Sequence, residues 1–234
     1  MFRKIFWLNM RDVIFTPAYL YQLFLCFFIG NVAFLGFHLN KDSLLLMDLY
    51  SAYFAIFVYS LCIGLDNIAV CEKISSRLEF YLANGLSAKK VCFFYSVSSF
   101  FCSVVIVALL HCTYLLRAIL FHEYEFLALL TSKAYVLFAC AALICFFVSL
   151  VFNAFALLFK NPIAIRVLSV VLFFAIFLGI RSLANYFISN NVAYEKIFSN
   201  LLLLSSVISL IVFLIFMLCE RFISNEAIVL SLKN

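Results

Sequence analysis

Long, continuous apolar runs fall at about 18–38, 44–70, 91–116, 134–159, 167–188 and 200–221, separated by short clusters of polar and charged residues. A helix of about 20 mainly apolar residues crosses a hydrocarbon core of about 30 Å, so each run predicts one membrane-spanning helix. A transmembrane barrel would instead need short segments of alternating polarity. The pattern therefore predicts an all-α, polytopic membrane protein of six transmembrane helices.

Two further segments are helical in period but not lipid-like. In residues 1–17, Phe2, Phe6, Trp7, Met10, Val13 and Ile14 share one side of a wheel, and Lys4, Asn9, Arg11 and Asp12 the other. Ile5, Leu8 and Phe15 fall on the polar side. This predicts an amphipathic elbow lying on the inner leaflet, with Arg3 snorkelling to the headgroups. Thr16-Pro17 then turns the chain into the first span. The remaining residues, 18–234, form the transmembrane domain. Within it, the loop at about 71–86 carries a helical pattern of its own, with Ile74, Leu78, Tyr81 and Leu82 on one side. Glu72, Lys73, Ser75, Ser76, Arg77 and Glu79 lie on the other, and Phe80 projects among them. Asn84-Gly85 ends this helix, with Gly85 suited to a left-handed terminating position, and Ser87 starts the next.

Composition sharpens the picture. Of 234 residues, 68% are apolar and 12% charged, against about half and a quarter in soluble domains. No sizeable aqueous domain is left, so a nucleotide-hydrolysing engine would have to belong to another chain. The net charge of +5 sits in short clusters at helix ends, which fits membrane orientation and gives no reason to expect a nucleic-acid partner. With the N-terminus inside, eleven of the sixteen Lys and Arg residues fall on the inner side, which predicts both termini in the cytoplasm. Asn9, Arg11 and Asp12 interrupt any signal-peptide core, so the N-terminal segment is expected to be retained. Nine scattered cysteines contain no CxxC pair and read as small apolar residues.

Candidate chemistry is sparse. None of the five glycines builds a phosphate-binding loop or a dinucleotide fingerprint. His122-Glu123 begins like a zinc helix, but Phe126 stands where the second histidine belongs, so no metal is expected. No nucleophile elbow occurs, and no catalytic residue is assigned. Asp48, Asp66, Arg181 and Glu220 lie near span ends, where interfacial placement accounts for them. Asn31, His111 and Asn153 lie within spans; they either line a translocation path or bond a neighbouring helix. An aromatic flanked by charges, as at Phe80, is the sort of anchor that fills a pocket on a partner.

The run Cys71-Glu72-Lys73-Ile74-Ser75-Ser76-Arg77-Leu78-Glu79-Phe80-Tyr81-Leu82-Ala83-Asn84-Gly85-Leu86-Ser87 resembles the coupling-helix loop of type 2 exporter permeases of ATP-binding-cassette transporters. The elbow, six spans, inner termini and short inner loop at Phe159-Lys160-Asn161-Pro162 are similar to that family over the whole chain. One departure is that residues 181–199 leave room for only a short re-entrant hairpin. The resemblance implies a permease subunit in a bacterial plasma membrane that pairs with a second copy or a related permease. It also implies an ATPase partner touching Glu72, Lys73, Arg77, Glu79, Phe80 and Gly85. The chain would bind no cofactor, ATP residing on the partner, and would move a peptide or lipid-like cargo among membrane lipids. The alternatives are an ATP-independent channel or secondary transporter, an intramembrane enzyme, and an immunity-type protein sequestering a peptide.

Overall fold

The computed structural model describes residues 2–17, most of 19–28 and 50–61, then 66–120, 124–159 and 194–232, with isolated positions between 167 and 190. Among the described residues there are helices and turns and no strand. In chain order they are α1 (Phe2–Ile14), a π-helical turn (Asp66–Val70), α2 (Cys71–Ile74), α3 (Arg77–Ala83), α4 (Ala88–Leu120), α5 (Tyr124–Leu158), α6 (Tyr194–Glu220) and α7 (Asn225–Leu232).

Three helices are long and apolar enough to cross a membrane: Ala88–Leu120, Tyr135–Leu158 and Glu195–Glu220, with mean hydropathies of 2.2, 2.7 and 3.0. They coincide with the third, fourth and sixth expected spans. Helical backbone also occurs at the described positions within 19–28 and 50–61, but much of the first, second and fifth expected spans lies outside the described residues. So do Asn31, Asp48, Arg181, the inner loop at Lys160–Pro162 and most of the expected hairpin. With 33 and 35 residues, α4 and α5 are each about 50 Å long and overhang a bilayer core. The expected outer loop around Glu125 is correspondingly shorter, because α5 starts at Tyr124.

Helix α5 packs between α4 and α6, while α1 lies on α4 and α7 on α5. Small polar residues close the α4–α5 seam. Ser149 Oγ donates to the Ser96 carbonyl at 2.9 Å, and Ser96 Oγ lies 3.3 Å from the Ser149 carbonyl. Side chains of this size let two backbones approach where apolar attraction between helices is weak. In contrast, α6 leaves Leu203, Leu210, Leu214 and Leu218 more than half exposed, an apolar surface suited to acyl chains.

Ion pairs fix the direction of the helices. At one end, Lys89 near the start of α4 meets Glu220 at the end of α6 at 3.2 Å. At the opposite end, Lys133 of α5 meets Glu195 at the start of α6 at 2.8 Å. Helices α5 and α6 therefore run parallel, and α4 runs against both.

Helix α1 differs from its expected wheel. Its buried side is Ile5, Asn9, Met10 and Val13, whereas Trp7 is 61% exposed and Ile14 also faces outward. The cause is α4, which offers Ser98 to Asn9 Nδ2 at 3.4 Å, Cys102 Sγ to Met10 Sδ at 3.6 Å and Phe101 to the Phe6 ring at 5.6 Å. A protein face selects for shape and hydrogen bonding, so Asn9 turns inward and Trp7 does not. Thr16 then caps the following helix, its Oγ accepting from the Tyr19 amide at 3.4 Å.

Candidate functional site

The expected coupling segment lies where α1, α2, α3, α7 and the end of α5 gather. A single helix over 71–86 is not what forms. Ser76 takes a left-handed conformation (φ 59°, ψ 8°) and divides the segment into α2 and α3. The π-helical turn before Cys71 adds a further change of register. One wheel cannot describe two helices joined this way, and three placements are corrected as a result. Glu72 and Lys73, expected on the outer polar side, are buried at 4% and 8% exposure, while Ile74, expected inside, is 73% exposed.

Lys73 explains its own burial. An ammonium carries three donors. Lys73 Nζ donates to the carbonyls of Ala156 and Leu157 at 3.3 Å each and of Phe159 at 2.6 Å, closing the end of α5 where the carbonyls lack helical partners. Positive charge there is also favoured by the negative end of the helix dipole. Burial holds the ammonium below its usual pKa of 10.5. Ser231 of α7 donates to the same Leu157 carbonyl at 2.9 Å.

Arg77 joins two carboxylates, its Nη1 lying 2.6 Å from Asp12 Oδ2 and 3.1 Å from Glu72 Oε1. The two acids respond in opposite directions. At Asp12, burial pushes the carboxyl up, but hydrogen bonds from Arg77 and Arg11 outweigh it and hold the group below its ordinary 3.8. At the more deeply buried Glu72, desolvation outweighs Arg77 and raises the carboxyl above 4.5. Glu72 Oε2 has no hydrogen-bond partner among the described residues. Arg77 is itself raised, first by its bond to Asp12.

Helix α3 buries Leu78 and Tyr81 and turns Glu79 and Phe80 outward, with Phe80 65% exposed. Gly85 adopts φ 80°, as expected of a left-handed terminator, and the Leu86 amide donates back to the Tyr81 carbonyl at 3.1 Å. The chain then enters α4, whose Ala88 amide donates to Asn225 Oδ1 at 2.8 Å. Arg77, Glu79, Phe80 and Gly85 are thus exposed, whereas Glu72 and Lys73 are buried.

The span residues do not form one site. His111 is buried and its Nδ1 bonds the Tyr53 hydroxyl, with Phe138 packed beside it. Asn153 lies about 22 Å further along α5 than Phe138. It donates to its own helix at the Ser149 carbonyl, 2.8 Å away. Asn31 lies outside the described residues. His111 Nε2 and Asn153 Oδ1 are both buried without a hydrogen-bond partner among the described residues.

Sequence reasoning missed the Asp12–Arg77 bridge, the capping by Lys73 and all of α7. No local signal marked Lys73, which falls among the polar residues of the wheel. No protein family, no curated protein and no solved structure matches the chain.

Proposed function

We propose that this membrane-embedded helical protein is the permease subunit of an ATP-driven exporter, without an ATPase site of its own, and that α3 docks on a separate ATPase subunit. The observation that carries this reading is Phe80, exposed on a helix whose neighbours are fastened to the bundle. Arg77 ties the start of α3 to α1, and Lys73 ties α2 to α5. A push on Phe80 therefore has a mechanical route into the membrane helices. The contact surface is Arg77, Glu79, Phe80 and Gly85; Glu72 and Lys73 act inward as transmitters. ATP binding drives transport only if the partner's closed state favours one arrangement of the bundle over the other.

The parallel course of α5 and α6 supports a six-crossing path. The end of α5 lies at the α2–α3 junction and the start of α6 at the opposite end, the arrangement that the expected span at 167–188 calls for. The Lys and Arg distribution supports a cytoplasmic junction and cytoplasmic termini, and the same reading takes the membrane to be a bacterial plasma membrane. The Phe-rich spans favour an amphipathic or lipid-like cargo.

The test is copurification of the tagged chain with an ATPase from native membranes, followed by Phe80→Asp. The expected result is loss of the ATPase and of cargo-stimulated ATP turnover, with the bundle still eluting as a folded species. An unchanged complex with unchanged turnover sinks the reading. A second reading, a secondary transporter, is favoured by the buried His111–Tyr53 pair, whose Nε2 meets no partner among the described residues. It expects ion-gradient-driven transport by the isolated chain in liposomes.

A further inference from the structure

Helix α1 carries Arg3, Trp7 and Arg11 one turn apart on its exposed side, and Lys4 beside them. With Leu8 they line a shallow depression in which every charged side chain is positive. The nearest acid, Asp12, contacts Arg11 at 3.2 Å but is engaged more closely by Arg77 at 2.6 Å. The opposite side of α1 is sealed against α4, so this face looks away from the bundle.

Its depth identifies what it meets. Helix α1 crosses α4 at the level of Ser98 and Phe101, about 10 Å of helix from the start of the apolar run at position 91. That depth is the zone between headgroups and acyl chains where an amphipathic helix lies. Beyond α1, Phe15, Leu20, Phe24 and Phe28 are 59–79% exposed, a stripe fit for acyl chains that begins where α1 ends. An exposed tryptophan at this level is a usual interfacial anchor.

We infer that the outward face of α1 is a binding site for the phosphate of an anionic phospholipid, with Arg3, Lys4 and Arg11 holding the headgroup and Trp7 seated at its glycerol level. Guanidinium groups present paired donors to phosphate oxygens, and Lys4 adds a point charge. A zwitterionic headgroup offers the same phosphate but adds a cation that the three basic residues repel. The site rests on embedding in a membrane and not on the transport reading above.

Trp7 is the single tryptophan of the chain, so its fluorescence reports this face alone. The full chain is reconstituted in phosphatidylcholine vesicles holding a minor fraction of phosphatidylglycerol. Bromine is carried near the headgroup on one lipid or the other at equal mole fraction. The expected result is several-fold stronger quenching per mole by brominated phosphatidylglycerol. Raised sodium chloride and the variant Arg3→Gln/Lys4→Gln/Arg11→Gln should both abolish that preference. Equal quenching by the two lipids, or none by either, overturns the inference. Loss of the preference on adding inorganic phosphate, at matched ionic strength, assigns the site to a soluble anion and also overturns it. If the triple variant does not fold, the two-lipid comparison in the native chain decides alone.

Discussion

Arg77 Nη1 stands 2.6 Å from Asp12 Oδ2, across 65 residues of sequence, and joins the N-terminal helix to the segment that carries Phe80. The Arg77 side chain is 47% exposed and that of Asp12 27%, so solvent screens the pair, and its direct worth is about 0.2–1 kcal/mol. Its weight lies in geometry, because it fixes how α1 and α3 sit together.

A double-mutant cycle on Asp12→Ala and Arg77→Ala, followed by thermal unfolding in detergent, should return a coupling of that size. Arg77→Ala alone should cost more than Asp12→Ala alone, since it also strips the buried Glu72 of its partner. Equal single-mutant losses with zero coupling would show the bridge to be absent in solution.

Lys73→Met should destabilise the protein by about 1–3 kcal/mol, because three carbonyls at the end of α5 lose their donor. Lys73→Arg should not restore stability, because a flat guanidinium cannot reach three carbonyls clustered around a compact ammonium. Chemical denaturation of the two variants checks this, and a Lys73→Arg protein as stable as the native one contradicts it.

Glu72 predicts a pH dependence whose sign follows from its raised pKa. A carboxyl raised on folding contributes stability below its unfolded value, near 4.5, and loses it as pH rises through the folded value. Asp12, lowered on folding, contributes above 3.8 and loses that contribution as pH falls through its folded value. Melting temperature should therefore rise on acidification towards about pH 5. In Glu72→Gln the rise should vanish and stability at neutral pH should increase. Parallel melting profiles for the two proteins would remove Glu72 as the cause.

Gly85→Ala should cost about 1 kcal/mol. A Cβ there meets nothing within 4 Å, so the loss is purely that of forcing φ 80° on a residue with a side chain. Gly85→Asn should recover part of it, since asparagine tolerates this region. A melt of Gly85→Ala identical to the native one counts against the left-handed turn.

The apolar runs at 91–116, 134–159 and 200–221 announced α4, α5 and α6 because twenty apolar residues in a row have few other fates. The overhanging ends of α4 and α5 were not legible, since apolarity marks where lipid stops and not where a helix stops. Gly85 was readable because glycine after a polar helix end carries a local backbone meaning. Asn9 and Lys73 were not, because their partners lie 89 residues away on α4 and 83 to 86 residues away at the end of α5. A wheel drawn for one helix is blind to the partner that decides which side goes in. Ser76 hid the break between α2 and α3, because a left-handed serine leaves no mark in composition.

The bend at Ser76 has a consequence for how force divides. The arm on its far side is bolted through Arg77 to the N-terminal helix, and the arm on its near side through Lys73 to the foot of α5. Under the proposed docking, a load applied at Phe80 works as on a yoke, with two outputs and one pivot. Stiffening or slackening that pivot would change the ratio in which the two bodies share the stroke, while leaving both bolts in place.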